Sequence, residues 1–306
     1  MIPRQGRPVT FGKPPTRRPE RRTRVESRCA GAASGGAAAP EPHDRLPLDK
    51  RPGKHMSWTL HFLRKWSAIV DPISALRLCV YVLGGENRDS DLTVRLHGWG
   101  RVRLRGFGGG DFRMLHCTFY EGMEPPAPAN CQTVIDLGGN IGLATISLAR
   151  RIPNLRVYVV EPDASNISML ETNLSRLIRS GQCRVERAAM WPKDEMIEVI
   201  PPALPGSYGA TRVGKNGGGG ALVQGMTMDA LIDRSGFERV DLLKMDVEGA
   251  EAGMFATGSD WLRRVRSLAV EFHGDARTDC DFDRIVAGHG MKITELGNNG
   301  AFAEWP

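Results

Sequence analysis

Four carboxylates stand at the ends of short apolar runs: Asp136 after Val134-Ile135, Glu161 after Val157 to Val160, Asp246 after Leu242 to Met245, and Glu271 after Leu268 to Val270. The first is followed at once by a glycine turn, Asp136-x-Gly138-x-Asn140-x-Gly142. The second lies nineteen residues beyond Gly142. A strand, a tight glycine turn, a helix and a second strand ending in an acid form a βαβ unit that holds a nucleoside. The glycines let backbone approach the ligand, and the acid accepts hydrogen bonds from the ribose hydroxyls. A dinucleotide site asks for G-x-G-x-x-G, so that a pyrophosphate meets the helix N-terminus. Here Asn140 replaces the middle glycine, and Asp136 would repel an anion. A ligand carrying an ammonium and a sulfonium suits the charge, and S-adenosylmethionine is such a ligand. Asp136, Gly138, Gly139, Asn140 and Gly142 are expected to hold its methionine end, Glu161 its ribose, and the stretch Arg187-Ala188-Ala189 its adenine. A nicotinamide or flavin site, or a nucleotide-free domain whose glycines only tighten packing, are the alternatives.

A second constellation follows. Val240 to Gly258 reads VDLLKMDVEGAEAGMFATG, and Arg264 to Gly274 reads RVRSLAVEFHG. In doubly wound sheets, ligands sit beyond the carboxyl ends of the strands, so Asp136, Glu161, Asp246 and Glu271 should converge on one crevice. Methyl transfer is an in-line displacement, and alignment is the protein's main lever. A neutral hydroxyl is a poor nucleophile, so an oxygen acceptor also wants a base. Asp246, Glu271 and His273 are the catalytic candidates, with Asp246 and His273 the two candidate bases. Lys244 lies within the strand and should pair with one of the acids. Glu248 should start a helix, and Glu251 should do the same or face substrate. Mg²⁺ held by Asp246, Glu271 and His273 would lower the hydroxyl's pKa and is the alternative to a side-chain base.

The Asp136 to Gly142 turn, Glu161-Pro162, the block Lys244-Met245-Asp246-Val247-Glu248-Gly249-Ala250-Glu251 and the pair Glu271-x-His273 together resemble the FkbM family of S-adenosylmethionine-dependent methyltransferases. The upstream residues Leu104-Arg105, Asp111 and Phe119-Tyr120 fit as well, so the resemblance runs from about residue 92 to 296. It implies methylation of a hydroxyl on a sugar, glycolipid or secondary metabolite and a small-molecule or glycan acceptor; it does not imply a metal, and none is expected. The family usually has alanine where Gly139 stands, a change expected to be harmless at a turn.

The elements that must position these residues can be placed by pattern. Strands are expected at 133–136, 156–160, 183–187, 241–246 and 267–272. Helices are expected at 141–151, 165–179, 228–233 and 249–257. Between 187 and 228 the prolines 201, 202 and 205 and the glycines 217–220 predict loops, with Ser207, Tyr208 and Arg212 as possible substrate contacts. Met291 to Leu296 and Ala301 to Trp305 flank Gly297-Asn298-Asn299-Gly300, a hairpin signature. A mostly parallel, doubly wound seven-stranded sheet closed by a C-terminal antiparallel hairpin is the class I methyltransferase topology, and the expected fold class is α/β of that kind. Ahead of it, Leu92-Val94-Leu96 and Val102-Leu104 predict two strands of a β-rich N-terminal cap. Phe62, Trp66, Ile69 and Val70, with Trp58, mark a helix over 58–70 that packs on its own domain, or serves as a dimer contact, a lid or a membrane-surface helix.

The chain has 306 residues and a formal charge of +6, but the charge is uneven. Residues 1–55 carry 13 Lys/Arg against 5 Asp/Glu, and the rest carry 28 against 30. The body therefore lacks the basic surface of a nucleic-acid enzyme. Residues 1–55 are rich in Arg, Pro, Gly and Ala and should form a disordered tail. Residues 56–130 should form the helix and cap, and 131–306 the cofactor-binding domain. The six cysteines have no C-x-x-C spacing, which argues against zinc ribbons and redox motifs and fits reduced thiols in a cytoplasmic protein. No transmembrane run is present.

Overall fold

The computed structural model describes residues 55–83, 91–106, 110–200, 211–215, 219–297 and 299–306, with side chains from 59 onward. The tail expected at 1–55 thus falls, but for His55, outside the described residues, as do Trp58's side chain, Ser207 and Tyr208.

The chain opens with α1 (His55–Ser67) and α2 (Pro72–Leu83), then a hairpin of β1 (Leu92–Leu96) and β2 (Gly100–Leu104). Next comes α3 (Gly110–Leu115), which runs into a π-helical turn, His116–Tyr120. The apolar face of α1 packs on this same body: Phe62, Trp66 and Val70 are buried, and Trp66 lies 5.4 Å from the Tyr120 ring and 6.2 Å from Phe112. The cap is therefore one hairpin among helices. Of those, α2 and α3 were not anticipated: apolar residues on the exposed face of α2, Ile73, Leu76, Val80 and Leu83, blur its buried stripe of Ala75, Leu78, Cys79 and Val82, and α3 has only six residues.

The core follows as β3 (Thr133–Leu137), α4 (Leu143–Arg151), β4 (Arg156–Val160), α5 (Ala164–Asn173), α6 (Ser175–Arg179) and β5 (Cys183–Glu186). Every residue of β3 is buried, as a central parallel strand covered on both faces requires. Asp163 caps α5, its carboxylate accepting from the backbone N–H of Ser165 and Asn166. The single helix expected over 165–179 is broken at Leu174.

A second sheet then appears where loops were expected. It consists of β6 (Ala188–Met190), β7 (Glu195–Ile200), β8 (Arg212–Gly214) and β9 (Leu222–Met226), in the order β6-β9-β7-β8. Alternation carries it: Ile197, Val199 and Val223 are buried and pair across the strands, Ile197 with Val223 and Val199 with Val213. The prolines at 201, 202 and 205 lie outside the described residues and do not interrupt these strands.

The chain returns through α7 (Met228–Ser235), capped by Thr227 and ended by Gly236 at φ 72°, into β10 (Leu242–Met245). The helix expected at 249–257 is a 3₁₀ turn over Ala250–Gly253. Gly249 sits at φ 100°, and Gly253 lies against Pro192, where a Cβ would come within 2.7 Å of the ring. Glycine at both positions weakens an α-helix, and the packing replaces it. The chain ends with β11 (Ser267–Glu271), α8 (Ala276–Asp279), α9 (Phe282–Gly288), β12 (Lys292–Leu296) and β13 (Gly300–Glu304).

The large sheet runs β12-β13-β11-β10-β3-β4-β5. β13 lies antiparallel between β11 and β12, and the five strands β11, β10, β3, β4 and β5 are mutually parallel. This is the seven-stranded class I methyltransferase topology expected from the sequence. Strand order reverses between β3 and β10, so their carboxyl ends flank the crevice where ligands bind. No helix among the described residues is long and apolar enough to cross a membrane.

Candidate active site

The turn after β3 is shaped by close contacts. Gly138 and Gly139 both donate to the Val160 carbonyl, at 2.9 and 3.1 Å. Gly138 has φ 78°, and a Cβ there would lie 1.7 Å from the Asp246 carbonyl oxygen. Only glycine fits between β3 and β10 at this point. Gly142, at φ 90°, opens α4 and faces Leu174, so it shapes the helix start and lines neither cavity described below. Asn140 also takes a left-handed conformation, φ 47°, which asparagine tolerates better than most residues. Its side-chain Oδ1 is buried without a hydrogen-bond partner.

Gly139 corrects an expectation. A Cβ there would lie 2.2 Å from Val159 Cγ1 and 2.9 Å from Leu170 Cδ1. Alanine is not harmless in this chain, because Val159 fills the space it would need.

Glu161 follows β4 and is 4% exposed. Its Oε2 accepts from the Asn140 N–H at 2.8 Å, and its Oε1 from the Asp163 N–H at 3.0 Å and Asn166 Nδ2 at 3.1 Å. Burial raises its pKa, and these hydrogen bonds oppose the rise. Each carboxylate oxygen carries two lone pairs, so the side chain is held in place with acceptor capacity left over.

Asp136, expected to reach the ligand's ammonium directly or through water, lines neither of the two cavities described below. It is completely buried. Thr145 Oγ1 donates to its Oδ2 at 2.6 Å, and Lys244 Nζ lies 3.1 Å from its Oδ1. The register explains this: Lys244 is directly beside Asp136 on the paired strand. Lys244 Nζ also donates to the Gly138 carbonyl at 2.9 Å and lies 3.8 Å from Asp246 Oδ2. Burial works against its charge, but Asp136 and Asp246 hold its pKa above the ordinary lysine value.

Beyond β10 and β11 lies a second cluster. His273 Nδ1 is 2.8 Å from Oε1 of Glu251, which is completely buried. The other ring nitrogen, Nε2, is 3.6 Å from Glu248 Oε2 and 3.9 Å from Asp246 Oδ1. The hydrogen bond to Glu251, assisted by the neighbouring acids and opposed by burial, raises the His273 pKa to about 9. At neutral pH the ring is an imidazolium. Burial pushes the Glu248 carboxyl up to about 7, with His273 opposing and Asp246 and Glu251 adding to the rise. Glu248 is not the first residue of a helix: it sits at φ 54°, a conformation uncommon for glutamate. Donor atoms of Asp246, Glu248 and His273 all lie within 4.8 Å of one another, a group that could take a cation. A metal there would have to displace the proton that the neighbouring carboxylates hold on the ring. The cluster thus differs from the expected set by exchanging Glu271 for Glu248.

Two cavities meet at this crevice. A narrow cleft, about 40 Å³, is walled by Glu161, Asn166, Ala188 to Met190, Thr211, Val213 and Glu248. The larger, about 410 Å³, extends under the cap and reaches Glu271. Gly138, Asn140 and Asp246 line both. Ala188 and Ala189 fall where a base was expected, whereas Arg212 is exposed and lines neither cavity. Sequence reasoning expected the cap to surround the crevice but missed Asn166 and the individual cap residues, such as Met114 and Met123, that line the larger cavity. Asn166 carries a legible signal, since it lies in the first turn of a helix capped by Asp163.

Residues 136–290 match the Methyltransferase FkbM domain. The chain is 27% identical over 198 residues to the AMB antimetabolite synthetase AmbE of Pseudomonas aeruginosa, a match covering 53% of this chain and 9% of that protein. It is 25% identical over 165 residues to the 2-O-methyltransferase NoeI of Sinorhizobium fredii, covering 49% of this chain and 65% of that one. It thus spans less than two thirds of the length of either relative. Among solved structures, methyltransferase FkbM from Methylobacillus flagellatus superposes with a TM-score of 0.41 at 14% identity, over 82% of this chain and 59% of that one. The domain match covers half of the sequence and includes both the glycine turn and the Asp246 to His273 cluster: the chain belongs to the FkbM methyltransferase family.

Proposed function

We propose that this methyltransferase binds S-adenosylmethionine at the glycine turn and transfers its methyl group to a hydroxyl of a small molecule. The observation that carries the reading is the meeting of the two cavities at Gly138, Asn140 and Asp246. A donor in one cavity and an acceptor in the other would touch there. S-adenosylmethionine, when bound, supplies a methyl carbon on a sulfonium, and that carbon–sulfur bond breaks onto sulfur as the acceptor oxygen bonds the carbon.

The residues present fit this cofactor. Glu161, fixed by three hydrogen bonds, offers charged acceptors to ribose hydroxyls. Asn140 Oδ1, buried and unpaired, offers an acceptor to a cationic group such as the ammonium. Gly138, Gly139 and Asn140 line the larger cavity, and Ala188 to Met190 give an apolar wall to the cleft. The cleft, about 40 Å³, is smaller than a nucleoside and has to widen to admit one. Asp136 acts behind the site, by keeping Lys244 charged and fixed against the turn.

Asp246 is the group at the junction that can take the hydroxyl's proton. His273 carries a positive charge at neutral pH and cannot accept one; it stabilises the carboxylates of Asp246 and Glu248 instead. Glu271 borders the larger cavity beside Asp246. The name of NoeI as an O-methyltransferase supports oxygen as the acceptor atom. Comparative mass spectrometry of extracts made with and without the protein tests this. A metabolite lighter by one methylene should accumulate in its absence, and an unchanged metabolite profile would contradict the reading.

A further inference from the structure

The larger cavity has a chemistry of its own. The cap contributes Met114, Met123, Pro125 and Pro126, and the core contributes Ile141 and Leu296. The charged groups at its walls are Glu124, Lys244, Asp246 and Glu271. Lys244 is matched by Asp136 behind it, and Glu124 lies 3.3 Å from Arg151. Two cations, Lys244 and His273, serve five carboxylates around this floor, those of Asp136, Asp246, Glu248, Glu251 and Glu271, so acids outnumber cations where Asp246 and Glu271 line the cavity. Thr118 and Asn140 are the neutral hydrogen-bonding side chains among the lining residues, apart from the weak donor Cys117. The end bordered by Gly138 and Asn140 adjoins the cleft, so the cap end is left for the acceptor.

We infer that this cavity takes a methyl acceptor with a largely apolar body and no negative charge, presented hydroxyl-first to Asp246, and that Met114 and Met123 of the cap select it. The inference rests on the methyl-transfer reading of the same site. A sugar brings several hydroxyls, each costly to bury without a partner, and the cap end supplies few. A phosphate or carboxylate would meet Asp246 and Glu271 in a partly desolvated space, where like charges repel strongly. An apolar body gains from burial against the cap, and methionine, being flexible and polarizable, accommodates varied shapes. Nucleotide-linked sugars and acidic metabolites are therefore excluded as acceptors, although a glycan was among the acceptors expected from the family resemblance.

The test uses the full chain at neutral pH and the neutral fluorophore phenylnaphthylamine, which brightens in apolar sites. Fluorescence should rise on adding protein. Decanol should displace the probe, decanoate should be weaker by about tenfold or more, and methyl glucoside should not compete. Met123 is 44% exposed, so Met123→Lys should leave the fold intact while weakening the probe about tenfold. Glu271→Gln should narrow the gap between decanol and decanoate. No fluorescence rise, equal competition by decanoate, displacement by the glucoside, or unchanged binding in Met123→Lys would each overturn the inference. Calorimetry with S-adenosylmethionine on the same samples separates the two readings. Loss of cofactor binding with the probe behaviour retained would sink the methyl-transfer reading alone. Cofactor binding without the probe behaviour would sink this inference alone.

Discussion

Arg105 in the cap reaches Glu161 through a single side chain, Asn166. Arg105 Nη2 donates to Asn166 Oδ1 at 2.9 Å, and Asn166 Nδ2 donates to Glu161 Oε1 at 3.1 Å. On its other side Arg105 grips Asp111 with Nε and Nη2, at 2.9 and 2.8 Å, and both residues are buried. The cap is thereby tied to the proposed ribose carboxylate by charged hydrogen bonds.

Arg105→Ala should destabilise the protein by about 3–5 kcal/mol, the usual cost of leaving a buried charge without its partner. The mutant should also bind S-adenosylmethionine more weakly, because Asn166 loses its anchor. Thermal unfolding and calorimetry check the two effects. An unchanged melting temperature would show that Asp111 is accommodated without Arg105.

Gly139→Ala should cost about 1–3 kcal/mol, the range for overfilling a packed site. Val159→Ala removes the methyl that the new Cβ would strike. The double mutant should therefore be more stable than the sum of the single changes predicts, a coupling that unfolding of all four proteins measures. Strict additivity would mean that the turn moves instead of Val159 yielding.

The pH dependence of stability follows from His273 and Glu248. The folded His273 pKa, about 9, exceeds its ordinary value of 6.5. Its charge-linked stability is full below 6.5 and is lost as pH rises toward 9. His273→Gln should thus cost most at pH 6 and least near pH 10, with about one unit of tolerance on either value. For Glu248 the folded value, about 7, also lies above the ordinary 4.5, so its contribution falls as pH rises between them. Glu248→Gln should lose that slope and gain stability relative to wild type above pH 7. Melting curves across pH read both effects, and a flat difference curve for either mutant would refute that group's assignment.

The parts of this fold that were legible in the sequence are those written in periodicity and turn chemistry. The runs ending in Asp136, Glu161 and Glu271, the turn after them, and the Gly297 to Gly300 hairpin signature all mark backbone features that few other residues could form. What was not legible depended on neighbours across the sheet. Asp136 looked like a ligand contact until the register placed Lys244 beside it. Gly139 looked tolerant until Val159 was seen filling its space. The second sheet was hidden because prolines and glycines between its strands drew attention from the short alternations at Ile197-Val199 and Val223. Glu248 was read as a helix start because Ala250 to Phe255 looks helical in isolation, whereas Pro192 packs where that helix would continue.

The central claim is that the crevice beside Glu161 holds S-adenosylmethionine. Isothermal titration of the full chain with S-adenosylmethionine and with NADH, repeated on Glu161→Gln, tests it most directly. The account predicts saturable binding of S-adenosylmethionine, none of NADH, and a loss of about tenfold or more in the mutant, as expected when a charged hydrogen-bond acceptor becomes neutral. Binding of NADH in preference to S-adenosylmethionine, or equal S-adenosylmethionine affinity in a folded Glu161→Gln protein, would contradict it.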